Sequence, residues 1–408
     1  MTRRIATIAA AASLTIGLGG CGSTTSGSPQ TPPGGTTPPS RTASTSVSAP
    51  ATHPSVPAST TTKPAVSTAR AVWSAMSETQ RVGQLFMVDC PSTQVSEATL
   101  NAIETHYVGS VILDGTSQLS VDATAAITAT LQRDAPGRAR LFIATDQEGG
   151  LVQRLRGPGF STVPSALDQG GIAPTTLRAE AADWASQLRR AGVNVDLAPV
   201  LDTVPSGWGS NPPIGDLDRE YGHTPATVSS HGVAVARGLA DGGVDATVKH
   251  FPGLGRTRGN TDVATGVADT VTVRNDPYLA PFAAAVAAGV PFVMMSTAIY
   301  TKIDPSRPAA FSSTIVTGML RGDLGFSGIV ISDDLGAAKQ VSGYSIGGRA
   351  VAFVQAGGDI VLTVDASQAT VMTAAVLART RTDTNFKALV DAAALRVLQA
   401  KQARGLLG

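Results

Sequence analysis

From Val82 onward the chain repeats one pattern: a short apolar run rich in Val and Ile that ends in a polar or glycine position, then a longer Ala-rich stretch of mixed polarity. The runs are VGQLFMVD (82–89), VGSVILDG (108–115), RLFIATDQ (140–147), VNVDLAPVLD (193–202), VDATVKHF (244–251), PFVMMSTAIY (291–300), GIVISDD (328–334) and GDIVLTVD (358–365). Their apolar character is continuous rather than alternating, which marks strands covered on both faces and hence a parallel sheet. The Ala-rich stretches between them read as the helices that cover such a sheet. Eight such units predict an α/β fold, a single (β/α)8 TIM barrel over residues 71–408, longer than a usual domain but within the range of such barrels.

Ahead of this body the pattern breaks twice. Residues 1–21 carry Arg3 and Arg4, an apolar run from Ile5 to Leu18 and a small-residue end, the layout of a secretory signal too short to span a membrane. Leu18-Gly19-Gly20-Cys21 further resembles a bacterial lipobox, which implies diacylation of Cys21 and an exported protein anchored by lipid to the outer face of the cell membrane. Residues 22–70 are Ser, Thr, Pro, Gly and Ala with almost no large apolar side chain; such a segment buries too little surface to offset its ordering entropy and reads as a disordered tether. With only two cysteines in the chain, a lipidated Cys21 leaves Cys90 without a partner, so Cys90 is read as a small buried hydrophobe. A net charge of +1 with no basic block argues against a nucleic-acid partner, and the chain is read as a monomer.

In a (β/α)8 barrel the chemistry sits at the C-terminal ends of the strands. The charged residues at those ends are Asp146 and Glu148 after the third run, Asp202 after the fourth, Lys249 and His250 on the fifth, Asp333 and Asp334 on the seventh and Asp365 on the eighth. Each carboxylate has an alternative use as the cap of the following helix, but the whole set converges on one rim.

Six segments on this rim, TDQEGGLVQRL (145–155), LAPVLD (197–202), GDLDREYG (215–222), KHFPG (249–253), AIYTKIDPSRPAAFS (298–312) and VISDDLGA (330–337), stand in an order that resembles glycoside hydrolase family 3, in particular its single-domain β-N-acetylglucosaminidases. The likeness runs from about Ser77 to Leu407. It implies retaining hydrolysis of a terminal β-linked N-acetylglucosamine or related sugar, without a cofactor, with peptidoglycan fragments as the carbohydrate partner. It implies further that Asp333 is the nucleophile and that Asp146, Arg154, Arg219, Lys249 and His250 hold the sugar hydroxyls. The chemistry of the residues agrees: a strand-end carboxylate can form a glycosyl ester, and guanidinium forks direct hydrogen bonds. For Lys249 and His250 the alternative is an internal salt bridge beside a satisfied core histidine, because neighbours on a strand point to opposite faces.

One departure matters. The family pattern continues KHFPGHG and then Asp-Ser-His, whose last histidine is the general acid/base. Here the letters are Leu254-Gly255 and then Asp262-Val263-Ala264, and of the five histidines, His53, His106, His223, His231 and His250, none follows position 250. A further family histidine is replaced by Thr297. Three readings follow. Another group supplies the proton, Asp262, Glu148 or a residue brought by a neighbouring loop, opposed by Arg256 and Arg258 if these point inward; or the substrate has a leaving group needing little protonation, or the glycosyl group passes to an acceptor other than water; or the barrel is a weak or inactive glycan-binding lipoprotein. Asp262 is either the acid/base or its remnant. Trp208, in a Gly- and Pro-rich loop, is read either as a sugar-stacking ring or as a loop anchor. No metal is expected, since the ligand set is poor for zinc.

Overall fold

The computed structural model describes Thr68–Gly408. The signal segment, Cys21 with its lipobox and the tether up to residue 67 lie outside the described residues.

Eight parallel strands close into a barrel: β1 (Phe86–Pro91), β2 (Ser110–Asp114), β3 (Phe142–Thr145), β4 (Val195–Asp196), β5 (Asp245–Phe251), β6 (Phe292–Met295), β7 (Ile329–Asp334) and β8 (Ile360–Thr363). Each strand pairs with its neighbours in sequence, and β1 closes on β8 through Phe86 opposite Val361. All eight apolar runs thus contribute a barrel strand. Two of them depart most from their letters. In the fourth, only Val195 and Asp196 are strand, because Pro199 has no N–H to give to a ladder and Ala198–Pro199 is cis. The sixth run divides: Phe292–Met295 stays in the barrel, while Ile299–Tyr300 pairs with Ala268–Asp269 in a small separate sheet.

Alternation sorts the strand residues. Met87, Ile112, Phe142, Ala144, Val195, Leu197, Phe292, Met294, Ile329, Ile331, Ile360 and Leu362 fill the interior, with Phe142 and Phe292 edge to face at 5.3 Å. The opposite faces, with Val88, Val111, Ile143, Val248, Val293, Val330 and Val361, pack against the surrounding helices. That double burial is why the runs read as continuously apolar. Helices begin where the sequence offers caps: Ser96 and Ser120 accept hydrogen bonds from the amides of Thr99 and Ala123. Cys90 is buried with a free thiol.

The first described helix, Thr68–Ala75, starts before residue 71 and packs on the last, Thr384–Ala403. That last helix closes the N-terminal end of the barrel: Val397 joins the interior cluster, and Lys401 is fully buried, donating to Gln84 Oε1 at 2.7 Å and to the Gly109 carbonyl at 2.8 Å. Burial without a carboxylate partner pushes the Lys401 ammonium down to about 7. Among the described residues no helix is long and apolar enough to cross a membrane.

Candidate active site

At the C-terminal ends of the strands the barrel opens into a cavity of about 400 Å³. Asp146, Arg154, Arg219, Lys249, His250, Asp262 and Asp333 all line it. Their separation in sequence is cancelled by the barrel, which delivers each strand end to the same rim.

The β3 side is built by a tight hairpin. Gln147–Gly149 and Val152–Gln153 pair antiparallel across Gly149 and Gly150, both at positive φ (107° and 53°). A Cβ on Gly149 would lie 2.0 Å from the Pro164 carbonyl, so only glycine fits that turn. The turn brings Arg154 back over Asp146, where its amide donates to the Asp146 carbonyl at 3.1 Å. Among the described residues the buried Arg154 Nε has no partner, which leaves this guanidinium the donor best placed to serve a ligand.

Lys249 ties this rim to β5. Its ammonium lies 2.6 Å from both Asp146 Oδ1 and Glu148 Oε1, while Arg219 grips Glu148 in a fork at 2.7 and 2.8 Å and donates to the Pro213 carbonyl at 2.7 Å. Burial works to raise the Glu148 carboxyl, but Arg219 and Lys249 overcome it and leave it at about 2. Glu148 therefore holds no proton at neutral pH and drops out as a proton donor.

His250 is held by Asp202. The ring Nδ1 lies 2.7 Å from Asp202 Oδ2, and the other oxygen accepts the amides of His250 and Leu254 at 3.1 and 2.8 Å. Both Lys249 and His250 line the cavity, although neighbours on a regular strand point to opposite faces. Strict alternation needs regular extended backbone, and here the register with β6 shifts between Val248 and Phe251. Lys249 and His250 are thus both internally bonded and ligand-facing, which merges the two readings.

The two aspartates ending β7 have separate tasks. Asp334 accepts the amides of Gly336, Ala337, Ala338 and Val364 at 2.8 to 3.0 Å and shapes the loop that follows. Among the described residues Asp333 takes only the Asp334 amide, at 2.9 Å, leaving an oxygen toward the cavity. Burial pushes the Asp333 carboxyl up to about 6; the Asp262 charge adds to the rise and His250 and Lys249 oppose it. Asp365 caps the next turn through Ser367 and lies off the cavity.

The loop after β5 is stapled rather than loose. Leu254 is buried, Asn211 donates to the Leu254 and Thr257 carbonyls at 2.9 Å, and the Lys339 amide donates to the Asp262 carbonyl at 3.0 Å. The Asp262 amide donates to Asn260 Oδ1 at 2.8 Å, and the residue stands exposed on the cavity wall. Arg256 and Arg258 point away from the cavity: Arg256 pairs with Asp276 at 2.8 Å over the Tyr278 ring, and Arg258 lies 4.7 Å from the centre of the Trp208 ring. Trp208, outside the cavity, is a loop anchor. Thr297 is fully buried and its hydroxyl has no partner among the described residues. Sequence reasoning missed Asp196, a buried acid behind the Lys249 cluster; its signal was a charge inside an apolar run. Among the described residues no three His, Cys, Asp or Glu are grouped to hold a metal.

A sequence-family model, the glycosyl hydrolase family 3 N-terminal domain, matches residues 78–400. The chain belongs to glycosyl hydrolase family 3. Among family relatives, a β-hexosaminidase of Stenotrophomonas maltophilia is 34% identical over 68% of this chain and 82% of its own. A solved β-N-acetylhexosaminidase of Beutenbergia cavernae is 50% identical with a TM-score of 0.79, covering 80% of this chain and 99% of its own. A family 3 β-N-acetylglucosaminidase of a Paenibacillus species is 33% identical with a TM-score of 0.74, over 81% of this chain and 63% of its own.

Proposed function

We propose that this family 3 barrel is an exported β-N-acetylhexosaminidase, tethered to the membrane through Cys21, that releases terminal β-linked N-acetylglucosamine or a related sugar from peptidoglycan fragments. The names of the relatives support the reaction and the sugar, and the lipobox sequence supports the location.

The geometry supports the roles that the family resemblance implies. Asp333, ionised, attacks the anomeric carbon as the bond to the leaving oxygen breaks, and that oxygen takes the proton of Asp262; water then attacks the glycosyl ester, returning its proton to Asp262 and freeing Asp333. Arg154, Asp146, Lys249, His250 and Arg219 hold the sugar hydroxyls. The observation that carries this assignment is that Asp262 lines the same cavity as Asp333, while Glu148 is locked by two cations. The test is release from an aryl β-N-acetylglucosaminide and from a muropeptide disaccharide, beside Asp333→Ala and Asp262→Asn. Asp333→Ala abolishes both; Asp262→Asn loses roughly 10²- to 10⁴-fold on the disaccharide and less on the aryl substrate, with azide restoring turnover as the β-glycosyl azide. Release that survives Asp333→Ala refutes the mechanism.

A further inference from the structure

Asp196 belongs to no motif and touches no ligand-facing surface. It ends the two-residue strand β4, paired with Thr145 of β3 and Ala246 of β5, and is 1% exposed. Its Oδ1 accepts the amide of Gln147 at 3.0 Å, the one hydrogen bond to this carboxyl among the described residues. Gln147 lies between Asp146 and Glu148, the two carboxylates that share Lys249 at 2.6 Å. The Arg219 fork is also spent on Glu148. The cations of the cluster are therefore committed, and Asp196 has none of its own. A buried carboxylate with one donor and no cation is strongly disfavoured, whereas the neutral acid keeps the amide contact without adding charge.

We propose that Asp196 is a positioning residue: as a neutral acid it pins the Gln147 amide and so sets the hold of Asp146 and Glu148 on Lys249, and its ionisation as pH rises loosens that hold. The groups that face it electrostatically are Asp146, Glu148 and Lys249, together with the buried Tyr221 phenol. Burial first, and then Asp146 and Glu148, push its carboxyl up to about 7 against the opposing pull of Gln147 and Lys249. Ionisation would add a third anion to a site where Lys249 already serves two, drawing the ammonium away from Asp146. The effect on substrate acts through Lys249 and Asp146, so it falls on affinity more than on the bond-breaking step.

The proposal takes the cavity as a sugar site, and two independent readouts separate it from the hydrolase reading. The full chain, in detergent, is titrated between about pH 5 and 9 for kcat and KM on an aryl β-N-acetylglucosaminide and for N-acetylglucosamine affinity by calorimetry. In the wild type, affinity and kcat/KM fall on the alkaline side with a midpoint near 7, KM moving more than kcat. Asp196→Asn keeps an oxygen for the Gln147 amide and cannot ionise; it loses that limb, giving at the alkaline end an affinity at least roughly tenfold above wild type relative to the acid end. Asp196→Leu weakens affinity at every pH. An alkaline limb unmoved in Asp196→Asn overturns the proposal. If the wild type turns over nothing, the hydrolase reading falls while calorimetry still judges Asp196. Should the Asn variant fail to fold, carboxyl-¹³C NMR of aspartate-labelled Asp333→Ala protein decides: a signal titrating near 7 is expected, and its absence overturns the idea.

Discussion

Lys401 offers a test of the barrel's closed end with a magnitude that can be worked out. It is fully buried, its ammonium donates to Gln84 and to the Gly109 carbonyl, and burial lowers it from 10.5 to about 7. Because the folded value is depressed, the unfolded chain binds more protons between these limits, and stability rises with pH across that window. From about pH 7 to about pH 9 the rise is two units at about 1.4 kcal/mol each, less about 0.4 kcal/mol for the half-proton the folded lysine still holds at the start, or about 2 kcal/mol. Lys401→Met removes the titration while keeping an unbranched side chain of similar length. It also leaves the Gln84 oxygen and the Gly109 carbonyl without this donor, a loss of about 1 to 3 kcal/mol that does not vary with pH, so only the pH-dependent part is diagnostic. Urea unfolding of both proteins at the two pH values, followed by circular dichroism, should show the wild type gaining about 2 kcal/mol relative to the variant at the higher pH. A difference constant within about 0.5 kcal/mol would mean that Lys401 is not depressed and that the closed end is wetter than its burial implies.

Three further outcomes follow from the site. Since the nucleophile must be ionised and burial holds Asp333 at about 6, kcat/KM should rise with pH through that value; a profile already flat well below it would refute the role of burial there. Glu148→Gln removes the anion between two buried cations and should cost about 3 kcal/mol in thermal or urea unfolding, with KM raised through the displaced Lys249. Trp208→Ala, whose ring lies outside the cavity beside Arg258, should leave KM for a simple monosaccharide glycoside within about twofold and lower stability by about 1 to 2 kcal/mol; a tenfold rise in KM would restore the stacking reading.

The barrel and its rim were legible in the letters alone. Short continuous apolar runs rich in Val and Ile mark strands buried on both faces, and eight of them separated by helix-forming stretches point to the closed barrel. Because that architecture gathers strand ends, Asp146, Lys249, His250 and Asp333 were legible as neighbours before any coordinate. What the tertiary structure alone decided is how the charges are shared. Letters at strand ends cannot say that Glu148 is spent between Arg219 and Lys249, that Asp334 is consumed by four loop amides while Asp333 stays open, or that Arg256 and Arg258 turn to Asp276 and Trp208 instead of the cavity. Those outcomes depend on contacts at 2.6 to 3 Å between residues up to about 100 positions apart, and on burial that sets each group's charge. Asp196 shows the limit most clearly: in the sequence it is one polar letter in an apolar strand, and only its placement behind the Lys249 cluster, with an amide but no cation for company, gives it a task.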